Sequence, residues 1–171
     1  MARKPVSKSN RASAKPHAFG VASSKVVPIG QAGRQSLRII AGQWRGRKIP
    51  FATVSGLRPT QDRVRETLFN WVADGISGAR CLDLYAGTGA LGLEALSRGA
   101  KQVDFVELSN VASSALNDNL KKLPIEQDQI AKVEQMSSFD WLRRYKNNSQ
   151  GIGQAKPYNL VLLDPPFALA L

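Results

Sequence analysis

The sequence predicts an α/β fold in which a small N-terminal β-hairpin precedes a parallel sheet with helices on both faces, and three observations point to it. From Cys81 onward, short apolar strand patterns alternate with helical ones, as they do in a chain of βαβ units. The first of those strands, Cys81-Leu82-Asp83-Leu84, runs into the glycine-rich turn Gly87-Thr88-Gly89-Ala90-Leu91-Gly92, where a helix opens. Glycines there permit a tight bend and close backbone approach, and the free N–H groups of the helix start face whatever binds. Glu107 ends the second strand, 20 residues beyond Gly87, an offset at which a carboxylate reaches the hydroxyls of a ribose. The glycine spacing alone is a weak signal; strand before, helix after and acid beyond make it a nucleotide-type cofactor site.

A length of 171 residues with 43% hydrophobic side chains fits one domain with a real core. Charge is unevenly placed: residues 1–61 carry 12 Lys or Arg and no acid, whereas 62–171 carry 12 against 13. The excess of +11 therefore sits in the first third, where it attracts a polyanion such as RNA, DNA or an anionic membrane, or serves only as a solubility tail. Cys81 is the single cysteine and falls in a strand, so no internal disulfide forms and the thiol reads as core filler. His17 is the single histidine and sits in the basic tail, which argues against a His-dependent mechanism and against a metal site. No run of 18 apolar residues and no apolar signal core occur, so the expectation is a soluble cytoplasmic protein with no membrane partner. The acid-free start resembles a transit peptide, but Pro5, Pro16 and Pro28 oppose a helical targeting segment.

Residues 1–35 are rich in Ser, Ala, Lys and Gly without periodicity and read as a disordered basic tail. Residues 36–78 read as a hairpin and a helix that cover the rest. Extended segments at 37–40 and 44–51 flank Ala41-Gly42-Gln43, and Arg38, Arg45, Arg47 and Lys48 make the hairpin basic enough to contact phosphates. Trp44 either stacks on a base or packs the hairpin onto the domain. In the following helix Thr60 is the expected N-cap, Val64, Leu68, Trp71 and Val72 the inward face, and Arg63, Arg65 and Glu66 the outer ones. Residues 79–171 read as the core: helix 89–98, strand 102–107, helix 111–123, strand 130–136, helix 138–145 with Phe139 and Leu142 inward, loop 146–156 and strand 158–164.

Ligands of such sheets bind at the carboxyl ends of the strands. That edge collects Asp83 to Gly89, Glu107, Ser137 and Asp164-Pro165-Pro166-Phe167. Asp83 lies inside a strand, so its carboxylate needs hydrogen bonds from the glycine turn or the cationic end of a ligand. The two prolines fix the backbone after Asp164, leaving its carboxylate and a neighbouring C=O facing outwards as acceptors beside Phe167. Such an edge holds an exocyclic amine of a flat base, stacks the ring, and needs no covalent intermediate, because positioning supplies the acceleration.

The blocks Arg38-Ile39-Ile40-Ala41-Gly42-Gln43-Trp44-Arg45-Gly46-Arg47, Leu57-Arg58-Pro59-Thr60 and Asp62-Arg63-Val64-Arg65-Glu66-Thr67-Leu68-Phe69-Asn70-Trp71, with the glycine turn and Asp164 to Phe167, closely resemble the bacterial 16S ribosomal RNA guanine-N2 methyltransferases of the RsmD type. The resemblance implies a Rossmann-like S-adenosylmethionine-dependent methyltransferase fold that methylates the exocyclic amine of one guanine in 16S rRNA, free or in the assembling 30S subunit, as a bacterial cytoplasmic monomer. It further implies that Asp83, Tyr85, Gly87, Gly89 and Glu107 bind the cofactor, and that Asp164, Pro165 and Phe167 hold the guanine. Arg38, Trp44, Arg45, Arg47, Arg58, Thr60 and Arg63 would meet RNA, the segment from Arg58 to Arg63 closing over the site. Ser137 stands where relatives carry an acidic or amide residue for the adenine amine. The chain ends at Leu171, whereas relatives continue with strands that complete the sheet, so the expectation is an incomplete core with an open apolar edge. Rival readings are an N6-adenine DNA or N5-glutamine protein methyltransferase, a nicotinamide-dependent oxidoreductase, and a non-catalytic RNA-binding fragment driven by the basic first third.

Overall fold

The computed structural model describes residues 35–52, 54, 59–149 and 156–166; residues 1–34 of the expected tail, Arg58 and Phe167 lie outside them. Two antiparallel strands, β1 (Ser36–Arg38) and β2 (Lys48–Pro50), come first, with Leu37 opposite Ile49. They are followed by α1 (Asp62–Trp71), α2 (Ala73–Ile76), β3 (Arg80–Asp83), α3 (Ala90–Ser97), β4 (Gln102–Glu107), α4 (Asn110–Leu120), β5 (Ile130–Gln135), α5 (Ser138–Ser149) and β6 (Leu160–Leu162). Strands β3 to β6 form one parallel sheet in the order β5-β4-β3-β6. The chain thus lays β4 and β5 on one side of β3 and then crosses to place β6 on the other. Strand order reverses between β3 and β6, where open α/β sheets bind their ligands.

Alternation along the strands sorts side chains to two faces. Cys81, Val103 and Phe105 pack with Leu93, Leu96 and Leu116 of α3 and α4, while Leu82, Leu84 and Val106 pack with Trp141 of α5. Cys81 is buried, and burial followed by the charge of Asp83 pushes its thiol up to about 12, the state of an inert core residue.

The hairpin is held by α3 through buried polar groups. Glu94 is fully buried, and its carboxylate accepts from Ile40 N at 2.9 Å, Ala41 N at 3.0 Å, Arg98 Nε at 2.9 Å and an Arg65 guanidinium nitrogen at 3.4 Å. One turn on, Ser97 Oγ accepts from Trp44 N at 3.0 Å and donates to Ala41 O at 2.6 Å. Gly42, at φ 80, lies so close that a Cβ there would sit 1.8 Å from Ser97 O. This docked turn consumes residues 41–46, so the strands are three residues each, shorter than their apolar pattern suggested.

Three expectations about the helices need correcting. In α1 the inward residues are Arg65 and Phe69, both fully buried, with Leu68 and Val72 beside them; Val64 is 52% and Trp71 80% exposed. The inward stripe is set by a cation, because α3 presents Glu94 to it, and the Arg98 guanidinium lies over the Phe69 ring at 5.2 Å. In α5, Trp141 is buried while Phe139 and Leu142 are exposed, since Trp141 stacks on Tyr145 at 5.2 Å and both meet Tyr158. That aromatic pair extends the helix to Ser149, into the expected loop. The third concerns the start of α1: Gln61, not Thr60, is its N-cap residue, and it makes no side-chain capping bond. Strand β6 is confined to residues 160–162; Val161 within it and Leu163 after it are exposed, and among the described residues it pairs with β3 alone.

Candidate active site

Strand β3 ends at Asp83, and the turn that follows passes through two left-handed glycines, Gly87 at φ 54 and Gly89 at φ 78. Side chains are excluded for a second reason. A Cβ on Gly89 would lie 2.5 Å from Leu116 Cδ1, and one on Gly92 would lie 2.2 Å from Phe105 Cε1. The glycines bring turn and helix down onto the sheet, as the close-approach argument requires.

Two acidic side chains then hold the turn. Asp83 Oδ2 accepts from the backbone N–H of Gly92, in the first turn of α3, at 3.0 Å, while Oδ1 is buried without a partner. Burial pushes this carboxyl up to about 7, the Gly92 N–H opposes the shift, and the charges of Asp164 and Glu107 add to it. Glu107 Oε2 accepts from Gly87 N at 2.8 Å and Oε1 from Ser109 N at 2.7 Å. Each of its oxygens keeps a second acceptor direction, which suits a pair of ribose hydroxyls. Leu108, 70% exposed directly after it, offers an apolar surface beside that position, a residue the sequence reading passed over.

Across the strand-order reversal, Asp164, Pro165 and Pro166 are exposed at the end of β6. Thr60 Oγ1 donates to Asp164 Oδ2 at 2.6 Å, so Thr60 serves the acidic edge instead of capping α1. Tyr85 is half-buried against the Trp141 cluster. Ser137 Oγ donates to Asp140 Oδ2 at 2.6 Å and accepts from Asp140 N at 3.1 Å, which commits it to the start of α5.

The structure therefore brings Asp83, Gly87, Gly89, Glu107, Asp164 and Thr60 to one end of the sheet. The basic residues lie elsewhere: Arg38, Arg45, Arg47 and Lys48 are exposed on the hairpin, and Arg63 on α1. Trp44 is corrected. At 2% exposure, with its backbone N–H on Ser97, it packs the hairpin onto the domain and presents no face to a base. Among the described residues no group of His, Cys, Asp and Glu could hold a metal ion, and no helix is long and apolar enough to cross a membrane.

Residues 37–171 match the family described as Conserved hypothetical protein 95. The chain is 48% identical over 131 residues to the Ribosomal RNA small subunit methyltransferase D of Haemophilus influenzae, covering 77% of this chain and 64% of that protein's length. Among solved structures it is similar to yhhF of Escherichia coli, with 42% identity, a TM-score of 0.64, and coverage of 80% of this chain and 68% of that one. The SAM Dependent Methyltransferase from Agrobacterium tumefaciens, 22% identical with a TM-score of 0.56 over 77% of this chain and 39% of that one, shares the fold.

Proposed function

The chain belongs to the family described as Conserved hypothetical protein 95, and on that footing we propose that it acts in methyl transfer from S-adenosylmethionine to the exocyclic N2 amine of a guanine in 16S rRNA. The observation that carries this reading is the meeting of three carboxylates, Asp83, Glu107 and Asp164, around one glycine turn, with Asp83 pushed up to about 7 by its burial first and by the charges of Asp164 and Glu107 in addition. Such an edge favours a cationic ligand, and the orphaned Asp83 Oδ1 marks where positive charge is wanted. The name of the Haemophilus influenzae relative supplies the substrate class.

S-adenosylmethionine, when bound, supplies a methyl group on a positively charged sulfur. Glu107 would accept hydrogen bonds from the ribose hydroxyls, Gly87 and Gly89 would let the backbone approach, and Asp83 would face the cationic end. Asp164 would accept an N–H of the guanine amine, and Pro165 fixes the backbone so that a neighbouring C=O would accept the other, which would draw the nitrogen lone pair out of conjugation with the ring. Phe167, outside the described residues, would stack on the base. Arg38, Arg45, Arg47 and Arg63, with Arg58, contact phosphates and orient the RNA without reading its sequence. In this reading residues 36–78 are the cover, 79–171 the catalytic core and 1–35 a basic tail, in a monomer working in the bacterial cytoplasm on rRNA or the assembling 30S subunit.

The test is methyl incorporation from radiolabelled S-adenosylmethionine into methyl-deficient 30S particles and free 16S rRNA, followed by nucleoside analysis. N2-methylguanosine is the expected product. Label in adenine N6 of DNA or in glutamine of a protein would replace this substrate assignment, and RNA binding without label at any cofactor concentration would end the enzymatic reading.

A further inference from the structure

Thr60 joins the strand end carrying Asp164 to the basic hairpin, and the joint runs from an exposed carboxylate to the buried Arg65 and Glu94. Its hydroxyl donates to Asp164 Oδ2 at 2.6 Å, and its carbonyl accepts from Arg65 Nε at 3.1 Å. Arg65 is fully buried, and its terminal nitrogens donate to Arg38 O at 2.8 Å, Asp62 Oδ1 at 2.6 Å and Glu94 Oε2 at 3.4 Å. Glu94 in turn takes the N–H groups of Ile40 and Ala41. A guanidinium is a rigid planar fork, so these bonds together fix where the Thr60 carbonyl lies. The hydroxyl then occupies one Asp164 oxygen and leaves Oδ1 for a ligand.

An exposed carboxylate at a strand end is otherwise free to turn about its side-chain torsions. We infer that Thr60 is a positioning residue: seated by Arg65, it orients the Asp164 carboxylate so that Oδ1 faces the substrate amine, and it links that orientation to the docking of the hairpin. The inference rests on the reading of Asp164 as the amine acceptor, and it moves Thr60 out of the set of RNA contacts. Chemistry sensitive to the placement of one acceptor is affected strongly by small rotations, since a misplacement of about 1 Å can cost on the order of 100-fold in rate.

Thr60→Val removes the donor at nearly constant shape, and Thr60→Ser keeps it. Relaxation of the Asp164 Cβ methylene in the ligand-free chain should show lower order in Thr60→Val and wild-type order in Thr60→Ser. Equal order in all three proteins overturns the inference. With 16S rRNA, kcat should fall about tenfold or more in Thr60→Val and recover in Thr60→Ser, while the Kd for S-adenosylhomocysteine stays unchanged. Wild-type kcat in Thr60→Val also overturns it. Absence of methylation by the unsubstituted chain would instead count against the assignment of Asp164, and the relaxation data would still decide whether Thr60 orients it.

Discussion

The backbone N–H of Gly87 donates to Glu107 Oε2 at 2.8 Å, fastening the glycine turn to the neighbouring strand. The second oxygen of the same carboxylate takes Ser109 N at 2.7 Å, so one side chain fixes both the loop after β3 and the loop after β4. Glu107→Ala should weaken S-adenosylhomocysteine binding by about 2 kcal/mol, the loss of hydrogen bonds to a charged group, while leaving the sheet folded. Calorimetric titration gives the affinity; an unchanged Kd would remove Glu107 from the site.

Asp83 is raised from 3.8 to about 7, and the sign of its effect on stability follows. A folded pKa above the unfolded one means that the native state binds the extra proton. The contribution is fully present below about pH 4 and is lost as pH rises through 7. Asp83→Asn mimics the protonated form and should flatten the decline in unfolding free energy between pH 4 and 7. Urea melts of both proteins across that window check it; parallel curves would show that burial of Asp83 has no such effect.

Arg65 and Glu94 are both fully buried, whereas the side chains of Lys121 and Asp118 are 74% and 62% exposed at 3.2 Å. Removing Arg65 leaves Glu94 to Arg98 alone and strips the Thr60 and Arg38 carbonyls of their donor, so Arg65→Met should cost about 3 kcal/mol. Lys121→Ala should change stability by less than about 1 kcal/mol. Equilibrium denaturation separates them, and similar losses would mean that the buried network contributes little.

Gly92→Ala sets two effects against each other. Alanine favours a helix by about 1 kcal/mol over glycine, but its Cβ would meet the Phe105 ring at 2.2 Å. Phe105 is fully buried and has nowhere to move, so overpacking wins and the substitution should destabilise by about 1–3 kcal/mol. Phe105→Leu makes room, and a double-mutant cycle should show the two changes to be coupled. Strict additivity would contradict the close approach.

Of the tryptophans, Trp44 takes the hairpin-packing one of its two readings, whereas Trp71 does not take the inward place its spacing suggested. Trp44 is 2% exposed and Trp71 80%. Trp44→Ala should cost about 3–5 kcal/mol, and Trp71→Ala less than about 1 kcal/mol. Thermal melts of the two variants rank them directly.

Much of this was legible because it rests on period and spacing. The strand and helix alternation, the glycine turn and the position of Glu107 follow from local pattern. The α1 face was not legible, since an arginine occupies an inward position and its reason, Glu94, lies 29 residues away. Apolar counting then assigns Val64 and Trp71 inward. In α5 the stacking of Trp141 on Tyr145 decided the face, and Phe139 and Leu142 gave no warning of it. Thr60 looked like a helix cap because capping residues stand just before helices; its partner, Asp164, is 104 residues along the chain.

Strand β6 lies against β3 although β4 and β5 are made between them. The neighbouring pairs β3·β4 and β4·β5 close over short stretches of chain, whereas β6 must return across the whole unit. Long-range pairings form late because their loop-closure entropy is met last. The glycine turn between β3 and α3 is therefore expected to take shape first, with Asp164 joining it only when the crossing strand docks. On the proposed function, a fault in that final step would leave a molecule able to take S-adenosylmethionine but blind to the guanine, and pulse-labelled hydrogen exchange would reveal it as late protection of β6 alone.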